Sequence, residues 1–201
     1  WAKSIDAFAD ELKRSELLDI PCLVMHPGAH MNSGEKTGIN RIVDGISQAI
    51  KKSGTKKVKV ALETTAGQGS SIGYKFDQLA AILDGLPKER AGICYDTAHT
   101  FVAGYDIRTP KAYKATMDEF DRTIGIEKML AIHLNDSKKD LNTRVDRHER
   151  IGKGFIGLTG IMNIVADPKL SHLPMVMEPP DFGDLEGVVE DLKIIRAALK
   201  G

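Results

Sequence analysis

The sequence predicts an α/β fold arranged as a β/α barrel, and three observations carry that expectation. Short apolar runs alternate with stretches of helical periodicity, the runs are apolar on both faces, and each stops at a side chain able to ligate a metal. Strands buried on both faces and separated by helices pair in parallel through right-handed crossovers. In a barrel the carboxyl ends of those strands converge on one face, whereas a doubly wound sheet spreads them apart. Ligand-type residues at every strand end therefore favour the barrel.

Ile5, Phe8, Ala9 and Leu12 stand at helical spacing and open the chain, followed by the strand run Cys22-Leu23-Val24-Met25, which ends at His26. Ile42, Val43, Ile46 and Ile50 mark the second helix, and Val58 to Leu62 the second strand, ending at Glu63. Phe76, Leu79, Ala80 and Leu83 precede Ile93-Cys94-Tyr95, with Asp96 at its end. Thr109-Pro110 reads as an N-cap and a first-turn proline for the helix through Tyr113, Met117, Phe120 and Ile124. Met129-Leu130-Ala131-Ile132 then stops at His133. A short helix around Ile161 to Val165 leads to Met175-Val176-Met177 and Glu178, and Leu185, Val188, Val189, Leu192 and Leu199 close the chain as an amphipathic helix.

With 201 residues and no Pro/Gly/Ser-rich linker, residues 1–201 are expected to form a single domain. Apolar residues at 42% and charged residues at 28% exclude disordered, collagenous and coiled-coil classes. Lys+Arg and Asp+Glu both total 28, so a polyanion partner must be held by a local patch rather than by a global field. Cys22 and Cys94 sit inside apolar runs, the pattern of buried reduced thiols in an intracellular soluble protein. No apolar stretch approaches the roughly 20 residues of a membrane span, so no membrane partner is expected. The chain opens on a charged amphipathic pattern rather than a signal peptide, and without methionine, which reads as a fragment or a processed product.

Two close pairs join the five strand ends. Asp96 and His99 are three residues apart where a strand is expected to run into a turn, and Asp146 and His148 are two apart in a segment expected to be irregular. His26, Glu63, Asp96, His99, His133, Asp146, His148 and Glu178 are more ligands than one ion needs, and so many facing charges repel unless cations sit among them. Mixed imidazole and carboxylate donors without cysteine point to Zn²⁺, Mn²⁺ or Fe²⁺. A cluster of two or three such ions suits phosphoester hydrolysis. The stretch Gly67-Gln68-Gly69-Ser70-Ser71-Ile72-Gly73 does not match a nucleotide-binding signature and reads as a loop of close backbone approach. Lys138, Lys139, Arg144, Arg147, Arg150 and Lys153 give the 138–153 segment a basic excess suited to a phosphate backbone. His172, before the last strand, reads as structural.

Five segments together resemble the endonuclease IV family of zinc-dependent apurinic/apyrimidinic (AP) endonucleases, AP endonuclease family 2. They are His26-Pro27-Gly28-Ala29-His30, Glu63-Thr64-Thr65-Ala66-Gly67-Gln68-Gly69, Cys94-Tyr95-Asp96-Thr97-Ala98-His99, His133-Leu134-Asn135-Asp136-Ser137-Lys138 and Arg144-Val145-Asp146-Arg147-His148. The resemblance implies a (β/α)8 TIM-type barrel, of which this chain supplies the last five β/α units and lacks the N-terminal part. It implies up to three Zn²⁺ ions, with Mn²⁺ as an alternative. The substrate it implies is damaged double-stranded DNA containing abasic sites, cut on the 5′ side to leave a 3′-hydroxyl and a 5′-deoxyribose phosphate, together with trimming of 3′ ends. Carried over by motif, Glu63 bridges two ions, His26 serves the first, Asp96, His133 and Glu178 surround the second, and His99, Asp146 and His148 hold the third. Glu63, Asp96, His133 and Glu178 would form the catalytic core, with Lys138, Arg144 and Arg147 on DNA. The compartment implied is the cytoplasm of a prokaryote or the nucleus of a eukaryote. Pro179-Pro180 after Glu178 departs from the family pattern and stiffens that loop. Two rival readings remain: a metal-dependent sugar isomerase or epimerase of the related barrel superfamily, which would leave His26, His99, Asp146 and His148 without a purpose, and a catalytically weak DNA-damage-binding fragment.

Overall fold

The computed structural model describes residues 1–180, 183 and 185–200. Its first half runs α1 (Ala2–Leu17), β1 (Cys22–Met25), β2 (Gly28–Ala29), α2 (Glu35–Ser53), β3 (Lys59–Glu63), β4 (Ser71–Ile72), α3 (Phe76–Asp84), β5 (Ala91–Asp96) and α4 (Thr97–Ala103). The second half runs α5 (Pro110–Thr123), β6 (Met129–His133), β7 (Asp136–Ser137), β8 (His148–Glu149), α6 (Gly157–Val165), β9 (Met175–Val176) and α7 (Leu185–Ala198). Among the described residues no helix is long and apolar enough to cross a membrane.

All five strands expected from the sequence pair in one parallel sheet, in the order β1-β3-β5-β6-β9, with β1 and β9 at its edges. Two further antiparallel pairs, β2 with β4 and β7 with β8, sit in the loops beyond the carboxyl ends of the strands. Period-two alternation then sorts each strand into two faces. Val60, Leu62, Ile93, Tyr95 and Ile132 pack with the helices in the main core, all of them with no exposed surface. Ala61, Cys94 and Ala131 group instead with Cys22 and Val24 on the other face. Two residues further along each strand, on that same inner face, come His26, Glu63, Asp96 and His133, and Glu178 stands two residues past Val176. Parity places the ligand-type residues together.

The helices form as their sequences dictate. Thr109 caps α5 by accepting the Ala112 N–H at 3.2 Å, ahead of Pro110. In α2 the chain leaves the helix through Gly54 in the left-handed conformation at φ 67°. The last turn of α1 is tied to the entry of β3 by Glu16, whose carboxylate accepts the backbone N–H groups of Lys56, Lys57 and Val58 at 2.8–3.1 Å. Those N–H groups hold the Glu16 carboxyl below its ordinary range. The stabilisation is therefore present above the unfolded carboxylate pKa and lost as pH falls through the lowered folded value. Glu16→Gln is expected to lower the urea midpoint at pH 7, and the gap to the parent should shrink at pH 3. An equal gap at both pH values would show that the carboxylate charge is irrelevant.

Three expectations need correction. The Asp96–His99 segment is not a turn: α4 begins at Thr97, directly off the strand, with Asp96 as its N-cap. The segment that carries Asp146 and His148 is not wholly irregular, because His148–Glu149 pairs with Asp136–Ser137. The last strand is also shorter than its apolar run, ending at Val176.

Candidate metal centre

His26, Glu63, Asp96, His99, His133, Asp146, His148 and Glu178 meet in one funnel at the carboxyl ends of the strands, and Glu63 lies at its centre. One Glu63 oxygen, Oε2, is 3.3 Å from His26 Nε2. The other, Oε1, is 3.3 Å from His99 Nδ1 and 3.1 Å from His133 Nδ1. Glu178 Oε2 lies 3.1 Å from His133 Nδ1, with Asp96 Oδ2 3.9 Å from the same atom. On the far side Asp146 places Oδ2 3.2 Å from His99 Nε2 and Oδ1 3.5 Å from His148 Nε2. The structure thus brings all eight ligand-type residues together.

Among the described residues three groups have donor atoms close enough to share an ion: His26, Glu63 and His99; Glu63, Asp96, His133 and Glu178; and Asp96, His99 and His148. His99 belongs to two of these groups, and Asp146 stands beside the third through His99 and His148. Donor chemistry fits a divalent cation. His99 Nε2 and His148 Nε2 are buried and make no hydrogen bond, although Asp146 oxygens face them. Buried nitrogens that face a carboxylate without a hydrogen bond to it suit a cation placed between them.

Charge tells the same story. Burial alone would lower His99, but Asp96, Asp146 and Glu63 lift it to about 11. His133 is likewise raised against its burial, with Cys94, Glu178 and Glu63 as its partners. Burial acts to raise Glu63, yet His133, His26 and His99 hold it far below the usual carboxylate range. Burial wins at Asp96, which has no exposed surface and is pushed up. In the metal-free protein protons on imidazoles do the neutralising that cations do in a loaded centre.

Side chains with no obvious signature hold the ligands in place. Asn135 donates through Nδ2 to Asp96 Oδ2 at 2.7 Å and to Glu178 Oε2 at 3.2 Å, and its Oδ1 accepts the Glu178 N–H at 2.8 Å. Asp96 Oδ1 accepts the His99 N–H at 2.7 Å, so capping α4 also aims the ligand. Thr64 Oγ1 accepts the Asp96 N–H at 2.8 Å, and Thr97 Oγ1 donates to Asn135 O at 2.6 Å. Their signal in the sequence is positional, since Thr and Asn directly beyond a strand end cap the next turn or helix.

The glycine-rich loop brings backbones together as expected. Gly67 has φ 77°, and a Cβ there would press into the Tyr74 ring, while Ser71–Ile72 pairs with Gly28–Ala29. Gln68 Oε1 accepts the Asp146 N–H at 3.3 Å, and Arg144 lies over the Tyr74 ring at 4.7 Å, joining this loop to the 140s segment. Of the basic residues in 138–153, Lys138, Lys139, Arg144, Arg147 and Lys153 are exposed at the rim. Arg150 is not on that surface. Its Nε donates to Asp191 Oδ2 at 2.8 Å and it also reaches Glu190, so it fastens α7. His172 lines a cavity of about 580 Å³ at the opposite end of the sheet, together with Cys22, Met129 and Leu173.

A family described as xylose isomerase-like TIM barrel matches residues 1–198. The probable endonuclease 4 of Chloroflexus aurantiacus is 46% identical over 200 residues, which is 99% of this chain and 70% of that relative. The chain belongs to the endonuclease IV family. Among solved structures, endonuclease IV from Thermus thermophilus superposes with a TM-score of 0.87 at 31% identity, over all of this chain and 69% of that one. A D-tagatose 3-epimerase-like protein shares the fold at a TM-score of 0.71 and 17% identity, covering 98% of this chain and 72% of that one. The parallel, curled five-stranded sheet is accordingly part of a β/α barrel, and the candidate ligand groups lie at the carboxyl ends of its strands.

Proposed function

We propose that the chain is a metal-dependent DNA-repair endonuclease that hydrolyses the phosphodiester bond 5′ to abasic sites, leaving a 3′-hydroxyl and a 5′-deoxyribose phosphate, and that trims blocked 3′ ends. The observation that carries this reading is the funnel itself: three ligand groups joined through shared Glu63, Asp96 and His99. Family membership at 46% identity supports it. Up to three Zn²⁺ ions, or Mn²⁺ in their place, would supply the positive charge that hydrolysis of a phosphodiester needs beside the attacking and leaving oxygens. His26 and Glu63 would hold one, Glu63, Asp96, His133 and Glu178 a second, and His99, Asp146 and His148 a third, in keeping with the distances between their donor atoms.

The chain's own residues divide the remaining work. Glu63 stays ionised and offers one oxygen to each side of the funnel. Asn135 holds the carboxylates of Asp96 and Glu178 at once through its one amide nitrogen. Lys138, Arg144 and Arg147 stand exposed at the rim, where a phosphate backbone would run, and the Tyr74 ring steadies the Arg144 guanidinium. A one-metal sugar isomerase would use the Glu63, Asp96, His133 and Glu178 group alone and leave the buried nitrogens of His99 and His148 unexplained.

The deciding experiment is incubation of the zinc-loaded chain with a duplex carrying a single abasic site, with the new ends analysed. A 3′-hydroxyl on the upstream product is expected; failure to cut by protein that holds more than one zinc equivalent would refute the reading. Binding should weaken steeply with salt, and Lys138→Ala should reduce the slope of log K against log salt by about one. An unchanged slope would remove Lys138 from the phosphate path.

A further inference from the structure

Asp136 ligates nothing in the funnel, yet it has no exposed surface and is surrounded by backbone donors. Its carboxylate accepts the N–H groups of Ser137, Gly152, Gly154, Ile156 and Gly157 at 2.7–3.2 Å. The 152–157 backbone is shaped to make this convergence. Gly152 and Gly157 take φ of 76° and 72°, and a Cβ on Gly154 would collide with Ser137 O and with Asp136 Oδ1. Burial pushes the Asp136 carboxyl up, and the N–H groups of Gly154, Ser137, Ile156 and Gly157 pull against it. Hydrogen bonds from backbone N–H to a carboxylate are roughly twice as strong as neutral ones.

What this cradle supports is a ligand. Ser137 pairs with His148 across the β7–β8 ladder, Lys138 N donates to Arg147 O at 2.9 Å, and Phe155 N donates to Ser137 O at 2.8 Å. A ladder of two residues per strand is too short to hold its own geometry in water. The His148 ring at its end is nevertheless fixed, with Nδ1 3.1 Å from Glu178 O and Nε2 buried beside Asp96 and His99. We infer that Asp136 is a positioning residue for His148: by gathering the 152–157 backbone it locks the β7–β8 pair that presents the imidazole to the third ligand group. This deepens the proposed function and rests on that site being a metal centre.

The test is Asp136→Asn, which keeps the shape and replaces one acceptor oxygen with a donor. Circular dichroism establishes that the variant folds. Hydrogen exchange on the metal-free chain then reads residues 148–157, and a zinc titration reads each equivalent separately. Faster exchange across 148–157 is expected, with one zinc equivalent weakened about 10–100-fold and the others unchanged. The kcat for abasic-site cleavage should fall more than KM rises. Gly154→Ala should reproduce both effects by crowding the cradle, and it decides the matter if Asp136→Asn does not fold. Wild-type exchange and wild-type zinc affinity would overturn the inference. So would lost protection with unchanged zinc affinity, since the carboxylate would then hold a loop and nothing more. A parent protein that binds zinc but cuts no abasic DNA would instead sink the proposed function, while the exchange and zinc measurements would still decide the role of Asp136.

Discussion

Glu63→Gln is expected to lower abasic-site cleavage by about 100-fold or more while leaving the fold intact. Residues that merely orient metal ligands cost about 10–100-fold when replaced, and Glu63 is placed as a ligand shared by two groups. Its two oxygens face opposite ways, Oε2 toward His26 and Oε1 toward His99 and His133. An amide keeps one acceptor oxygen and turns the other position into a donor, which a cation repels. The three histidines also keep Glu63 well below the ordinary carboxylate range, so the substitution removes a charge that is present at every working pH. Zinc content should therefore fall at two sites together. His148→Ala belongs to only one of the three groups and should empty one site. Elemental analysis beside single-turnover cleavage separates the two variants. Full zinc content with near-parental cleavage in Glu63→Gln would show that it bridges nothing.

The ease with which this funnel can be read from the sequence has a physical reason. A strand buried on both faces is an uninterrupted apolar run, and its first charged residue marks the carboxyl end; in parallel strands all such ends point the same way. His26, Glu63, Asp96, His133 and Glu178 are therefore visible as a set in the sequence, and the five motifs around them carry the family resemblance. Other features are too short or too distant to leave a period. Helix α4 has seven residues and is buried on nearly every side, so Thr97 to Ala103 shows no amphipathic stripe. Only Asp96 at its N-cap and Gly104 at φ 117° after its end announce it. The β2–β4 and β7–β8 pairs have two residues per strand, below any detectable alternation. Arg150 reads as one more member of a basic loop because its partner, Asp191, lies on a helix far along the chain. Asp136 sits inside a family motif without an evident role, since its partners are backbone N–H groups that no side-chain pattern records.

Zinc should stabilise this protein strongly, and more so as pH rises. A metal that binds only the folded chain contributes about 4 kcal/mol per site when free zinc exceeds its dissociation constant about 1,000-fold. For a chain of this size each kcal/mol raises Tm by about 2–4 °C, so one site is worth about 8–16 °C. Protons oppose this gain. With no metal, Asp96, Asp146 and Glu63 keep His99 protonated to about pH 11, well above the ordinary histidine value. A raised histidine contributes stability that is fully present below the unfolded pKa and is lost as pH climbs through the folded one. The metal-free fold should therefore weaken from about pH 6.5 upward. Zinc must displace that proton, so its apparent affinity should rise over the same range and its binding should release protons into solution. Thermal unfolding with and without zinc at pH 6 and pH 8 tests both trends at once. The expected result is a zinc-induced rise in Tm that is larger at pH 8, with base needed to hold pH during an unbuffered titration. A rise that shrinks with pH, or no rise at either, would mean that the imidazoles of the funnel are not the ligands.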